Sequence, residues 1–159
     1  MEVLIVMSLI GILSLPLIQV LLSGQKHFVT HQNILSEKSR CMVIQEKIKD
    51  EILLAKSVRL LEENATIKLE DGEMALYLKK GAGYYELVKK TSQGEQVILN
   101  QDYLKTSVLT LNFKLSVGRQ KALEVRIKEA DYQIDTAIQL LNLKQGGDNL
   151  EGQILIYKK

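Results

Sequence analysis

The 159-residue chain has no tryptophan, two phenylalanines, one proline and one cysteine. A lone cysteine, Cys41, excludes an intrachain disulfide, so the fold must hold without one. Its place among apolar residues at helical spacing makes it a small buried hydrophobe and not a reactive thiol. The few aromatics show no interleaving with basic residues, which argues against a stacking platform for nucleic acid. There are 21 basic and 19 acidic side chains, a net charge of +2. That balance gives no strong steering toward nucleic acid or anionic lipid. Lys79-Lys80, Lys89-Lys90 and Lys158-Lys159 read as solvated strand ends or turns.

Catalytic signatures are lacking too. The sequence holds no G-x-G-x-x-G, Walker A, G-x-S-x-G or H-E-x-x-H. Gly81-Ala82-Gly83 lacks the third glycine and the helical context of a dinucleotide loop. His27 and His31 stand four apart and share a helix face, a spacing that can seat a metal. No Asp, Glu or Cys lies within a turn of them to complete a site. No catalytic residue, cofactor or metal ligand is therefore assigned, and the chain is not expected to be an enzyme.

Charge is nearly missing from the first 22 residues, where Glu2 is the one charged side chain. Residues 3–22 read VLIVMSLIGILSLPLIQVLL, in which Ser8, Ser14 and Gln19 are the polar members. Twenty helical residues span about 30 Å, the thickness of a bilayer's hydrocarbon core. Gly11 and Pro16 weaken a soluble helix but are tolerated in a membrane span. No Lys or Arg precedes the run and it is longer than an h-region, so it does not read as a cleaved signal peptide. A plain signal anchor fits the length but calls for positive charge on the cytoplasmic flank. Glu2 at the edge of the span is either a headgroup-level anion near a helix N-terminus or a functional carboxylate.

Met1-Glu2-Val3-Leu4-Ile5-Val6-Met7-Ser8-Leu9-Ile10-Gly11-Ile12-Leu13 resembles the N-terminal signature of type IV pilins and type II secretion pseudopilins. In that family a glutamate opens an Ile/Leu/Val-rich run that ends Ile-Gly-Ile-Leu. Glu2 falls on the glutamate and Gly11 on the glycine. Two departures stand out. The family's leader, its cleavage-site glycine and the first three mature residues would precede Met1. The family's proline lies at the position of Gln19, whereas Pro16 stands one turn earlier. The resemblance implies a minor pilin or pseudopilin, a structural subunit of a type IV pilus-like filament serving adhesion, motility, competence or type II secretion. It implies that Glu2 pairs with the N-terminal amine of a neighbouring subunit during assembly. Val3, Leu4, Ile5, Leu9, Ile10, Gly11, Ile12, Leu13 and Pro16 would form the transmembrane and filament-core helix. Its partners would be other pilins or pseudopilins, the membrane and, for the precursor, a prepilin peptidase. Direct nucleic-acid binding is not expected. The chain would cross the bacterial cytoplasmic membrane once, with its C-terminal domain outside, in the periplasm or at the cell surface once assembled. The alternative is a single-pass membrane-anchored binding module outside any filament.

Three segments are expected: 1–24 as the transmembrane helix, 25–63 as an amphipathic soluble helix and 64–159 as an antiparallel β-sheet domain. Residues 25–63 hold no Pro or Gly. Phe28, Ile34, Cys41, Ile44, Ile48, Ile52, Ala55 and Val58 form one apolar stripe, with Glu37, Lys38, Arg40, Glu46, Lys47, Lys49, Asp50 and Lys56 opposite. A strict heptad covers only Ile34, Cys41, Ile48 and Ala55, so a sheet or other subunits must cover the stripe. If continuous with the span, this helix runs about 90 Å, with Gly24 a possible break. Beyond Asn64 the period changes. Residues 66–70 and 74–78 alternate about Asp71-Gly72, a hairpin signal. Residues 84–89 and 96–99 read as strands turned at Gly94, and 109–116 with 122–128 as a hairpin about Val117-Gly118-Arg119. Residues 132–143 fit a strand or a short helix, Gly146-Gly147 a loop and 153–157 a last strand. The stretch 132–144 is also similar to the late strand of minor pilins of the W and J types. A long helix followed by an antiparallel sheet is an α+β arrangement, the one the pilin family builds.

Overall fold

The computed structural model describes residues 2–106, 108–117, 121–143, 145–146 and 150–159, with the side chains of 2–13, 15, 117, 145 and 146 excepted. One long helix, α1, runs Glu2–Ile52. It passes through Pro16, and through Gly24, where an added Cβ would meet nothing within 4 Å. Gly24 therefore does not break it. The chain forms two compact units, Met1–Ser36 and Glu37–Lys159, and α1 contributes to both.

α1 stops at Ile52, short of the expected end near residue 63. No Gly or Pro stops it, so its end was not legible from breakers. The Leu53 amide still donates to the Lys49 carbonyl at 3.0 Å, and Ala55 tightens the turn by donating to Ile52 at 2.9 Å. The Lys56 amide then donates to Lys158 at 2.7 Å and so joins a β-ladder. Val58, expected on the helical stripe, lies instead on a strand, β1 (Ser57–Leu61), whose residues alternate between half-buried and buried. A pairing partner at the far end of the chain outweighs continued helical periodicity here.

The other strands are β2 (Glu73–Lys80), β3 (Tyr85–Thr91), β4 (Gly94–Leu99), β5 (Leu109–Val117), β6 (Lys121–Glu129), β7 (Tyr132–Gln139), β8 (Gln145–Gly146), β9 (Glu151–Gly152) and β10 (Ile154–Lys158). They form two sheets where one was expected. The first has the order β4-β3-β2-β10-β1-β8 and the second β7-β6-β5-β9. Every described pairing is antiparallel except β1 with β8. The fold is thus α+β, a long N-terminal helix with antiparallel sheets.

Several local expectations need correction. Residues 66–70 make no ladder, so Asp71-Gly72 is not the turn of a hairpin between them and β2. Gly72 does adopt a left-handed φ of 76°. The alternation of this segment serves packing instead. Ile67 and Leu69 cover Ala75, Ile154 and Ile156 on the outer face of the first sheet. Residues 132–139 form a strand, β7, which resolves the helix alternative. Gly146 belongs to β8, while Gly147 lies outside the described residues, as do Gly118 and Arg119 of the β5–β6 connection.

The main core gathers Cys41, Ile44, Ile48 and Ile52 of α1 with both sheets. The first sheet supplies Leu60, Leu76, Leu87 and Tyr157, and the second Leu111, Phe113, Leu123, Val125 and Ile127. Phe28 and Ile34, expected to share the buried stripe, are exposed. β10 reads as four buried residues in succession because it lies between β1 and β2 with cover on both faces. Only Gln153 separates β9 in the second sheet from β10 in the first. There the backbones nearly touch, since a Cβ on Gly152 would stand 2.5 Å from the Leu61 carbonyl oxygen.

Ile48 is fully buried and Leu35 is 63% exposed. Ile48→Ala should cost about 2–5 kcal/mol through lost transfer energy and a residual cavity. Leu35→Ala should stay within about 0.5 kcal/mol in the isolated chain. Chemical denaturation of the two variants checks the contrast.

Candidate functional site

Glu2, Val3, Leu4, Ile5, Leu9, Ile10, Gly11, Ile12 and Leu13 all lie on the α1 backbone, but their side chains are outside the described residues. Met1 lies outside them entirely. Pro16 is exposed and sits within the helix without ending it. Behind it Leu17, Ile18, Val20, Leu21 and Leu22 are 51–68% exposed, an apolar surface over more than half of the helix circumference, with Gln19 on the remaining side. Phe28, Val29 and Leu35 continue the exposed apolar residues on the same unit. Among the described residues no helix is long and apolar enough to cross a membrane. The backbone of the first part of the apolar run belongs to α1, and its side chains are outside those described.

His27 and His31 are both exposed on α1. Among the described residues no three His, Cys, Asp or Glu side chains come together to hold a metal. Cys41 is fully buried, and burial pushes its thiol up to about 11, which keeps it protonated and unreactive.

Two charged nodes attach the end of α1 to the sheets. Arg40, expected on the solvent side, lies at the rim of the buried face. Its Nε donates to both carboxylate oxygens of Glu129 at 2.8 and 3.0 Å, and its Nη2 donates to Oε1 as well. The Glu129 side chain is only 1% exposed. The hydrogen bond to Glu129 raises the Arg40 guanidinium pKa. At the other node Glu51 accepts from the Tyr157 hydroxyl at 2.7 Å, from Lys89 Nζ at 2.9 Å and from Lys159 Nζ at 3.1 Å. Burial pushes the Glu51 carboxyl up, but these three donors outweigh it and hold it at about 2. Burial and the bond to Glu51 raise the Tyr157 phenol. None of these partners was assigned from the sequence, because they lie 38 to 108 positions apart.

A polar trough of about 830 Å³ lies on the outer face of the second sheet. Asn112, Lys114, Glu124, Arg126 and Asp135 form its floor, and the chain at Glu62, Asn64, Glu151 and Gln153 its walls. Its bases are matched by acids, Lys114 with Glu151 at 2.8 Å and Arg126 with Asp135 at 2.7 Å. The outward charges of LTLNFKLS and ALEVRIK foreshadow the floor, whereas nothing local to the sequence indicates the walls. Comparison with protein-family models, with curated proteins and with solved structures finds no match to the chain.

The Glu51 node carries a pH prediction. Its folded pKa lies below the ordinary 4.5, so the carboxylate adds stability above that pH. This contribution is lost as pH falls from 4.5 toward about 2. The loss attributable to Glu51 should be about 3 kcal/mol. Urea unfolding of wild type and Glu51→Gln between pH 6 and 2 should therefore converge at the acid end. Parallel curves would remove the assignment.

Proposed function

We propose that the protein is a minor pilin or pseudopilin, a membrane-anchored structural subunit of a type IV pilus-like filament. The observation that carries this reading is one helix with two roles. Its second part is the buried spine of an α+β domain. Its first part exposes leucine, isoleucine and valine over more than half of its circumference. Bare apolar surface of that extent calls for a cover of lipid or apolar helices. The Met1–Leu13 signature supports the same reading, since it puts Glu2 at the head of that helix. Val3, Leu4, Ile5, Leu9, Ile10, Gly11, Ile12 and Leu13 then form the span and filament core. The carboxylate of Glu2 meets the amine of a neighbouring subunit, where each charge alone in low dielectric is costly and the pair is tolerable.

A second reading is a single-pass anchored binding module outside any filament, favoured by the polar trough. Glu2 separates the two. Glu2→Ala leaves an unpaired ammonium in the core, at a cost of about 3–5 kcal/mol for each subunit contact. Incorporation into sheared filaments should fall below detection while membrane fractionation is unchanged. Normal incorporation by Glu2→Ala would remove the role given to Glu2, and absence of the wild-type chain from any filament would favour the second reading.

A further inference from the structure

We propose that Asn64 is a glycan acceptor: its side-chain amide takes a saccharide from a polyprenyl-diphosphate-linked donor. The inference rests on the reading above for one point, that the β-domain stands outside the membrane. Asn64-Ala65-Thr66 is an Asn-x-Ser/Thr triplet with a residue other than Pro in the middle. Asn33, Asn100, Asn112, Asn142 and Asn149 are not followed by Ser or Thr two positions on, so the triplet is unique in the chain.

The structure gives the triplet the setting that transfer requires. It lies in the connection between β1 and β2, where residues 62–72 make no ladder. Asn64 and Thr66 are exposed. The one backbone bond inside the turn is the Ala65 amide donating to Glu62 at 3.1 Å, so little has to open for the amide to enter a transferase. The chain is held on either side of the triplet, before it by the Glu63 amide donating to Gln153 Oε1 at 3.0 Å and after it from Ile67 onward. Ile67 and Leu69 pack on the first sheet, and Arg59 Nη2 donates to the Lys68 carbonyl at 2.8 Å. Asn64 also stands on the wall of the polar trough, so a linked saccharide has about 830 Å³ of hydrophilic space beside it and displaces no core residue.

The chemistry balances without an oxidant. The Asn64 amide nitrogen bonds to C1 of the donor sugar, and the bond from C1 to the diphosphate oxygen breaks. The diphosphate leaves with that electron pair, and the amide gives up one proton to the transferase's base. The Thr66 hydroxyl is the group a transferase reads two positions on.

The test expresses the full chain, with a second Asn-x-Thr tag after Lys159, in cells carrying an oligosaccharyltransferase and its lipid-linked saccharide. An unrelated secreted acceptor serves as the control for donor supply. Mass spectrometry should find the glycan increment on the peptide containing Asn64 as well as on the tag. Asn64→Gln and Thr66→Ala should lose the Asn64 increment, Thr66→Ser should keep it, and the tag should be modified in all of them. A modified tag beside a bare Asn64 overturns the acceptor site and leaves the domain's location intact. A bare tag and a bare Asn64, with the control modified, overturn the outward location and this inference with it.

Discussion

Burial of one face of α1 between two sheets is the interaction on which the fold depends. Cys41, Ile44, Ile48 and Ile52 are fully buried against residues of both sheets. Each such side chain contributes about 1.5–3 kcal/mol when removed from water. The second sheet has an apolar inner face and a charged outer one, and the first is covered on its outer face in part by a strandless segment. A sheet with one apolar face must bury it against something. In this chain the helix supplies that surface to both sheets, and the outward face of the second is left free for the polar trough.

The same helix has a different physical character before Ser36. Leu17, Ile18, Val20, Leu21 and Leu22 are exposed over more than half of the helix circumference, with Gln19 on the remaining side, while polar residues dominate from Ser23 to Gln32. An all-apolar helix surface is stable in lipid or among other apolar helices, and a mixed one at a boundary with water. On the filament-subunit reading proposed above, the change at Ser23 and Gly24 would fall at such a boundary along α1.

Much of this was legible in the sequence where signals were local. LTLNFKLS and ALEVRIK alternate, and they pair residue for residue from Leu109–Glu129 to Val117–Lys121. The stripe from Cys41 to Ile52 follows helical spacing and is the buried one. What failed depended on distant partners. The end of α1 is set by β1 pairing with β10, Ser57 opposite Lys158, and no local breaker announces it. Residues 66–70 alternate as a strand does, yet β10 and β3 already flank β2, so only their apolar side chains find a use. The wall of the trough combines the chain after β1 with β9, a juxtaposition no window of sequence contains.

The charged nodes add what burial cannot. A hydrophobic stripe is non-directional, and a helix can roll or slide on it at small cost. Arg40 and Glu51 stand eleven residues apart, close to three turns, so they lie on nearly the same side of α1. Arg40 engages Glu129 at the end of β6 in the second sheet, and Glu51 engages Lys89 on β3 and Tyr157 on β10 in the first. Each bond has a required direction, and the Glu129 carboxylate and the Tyr157 ring are almost wholly withdrawn from water. Rolling or sliding the helix would strip partners from buried polar groups, a loss far larger than that of an exposed ion pair. Two such contacts, one to each sheet, set the rotation and register of α1 in a fold that has no disulfide to do so.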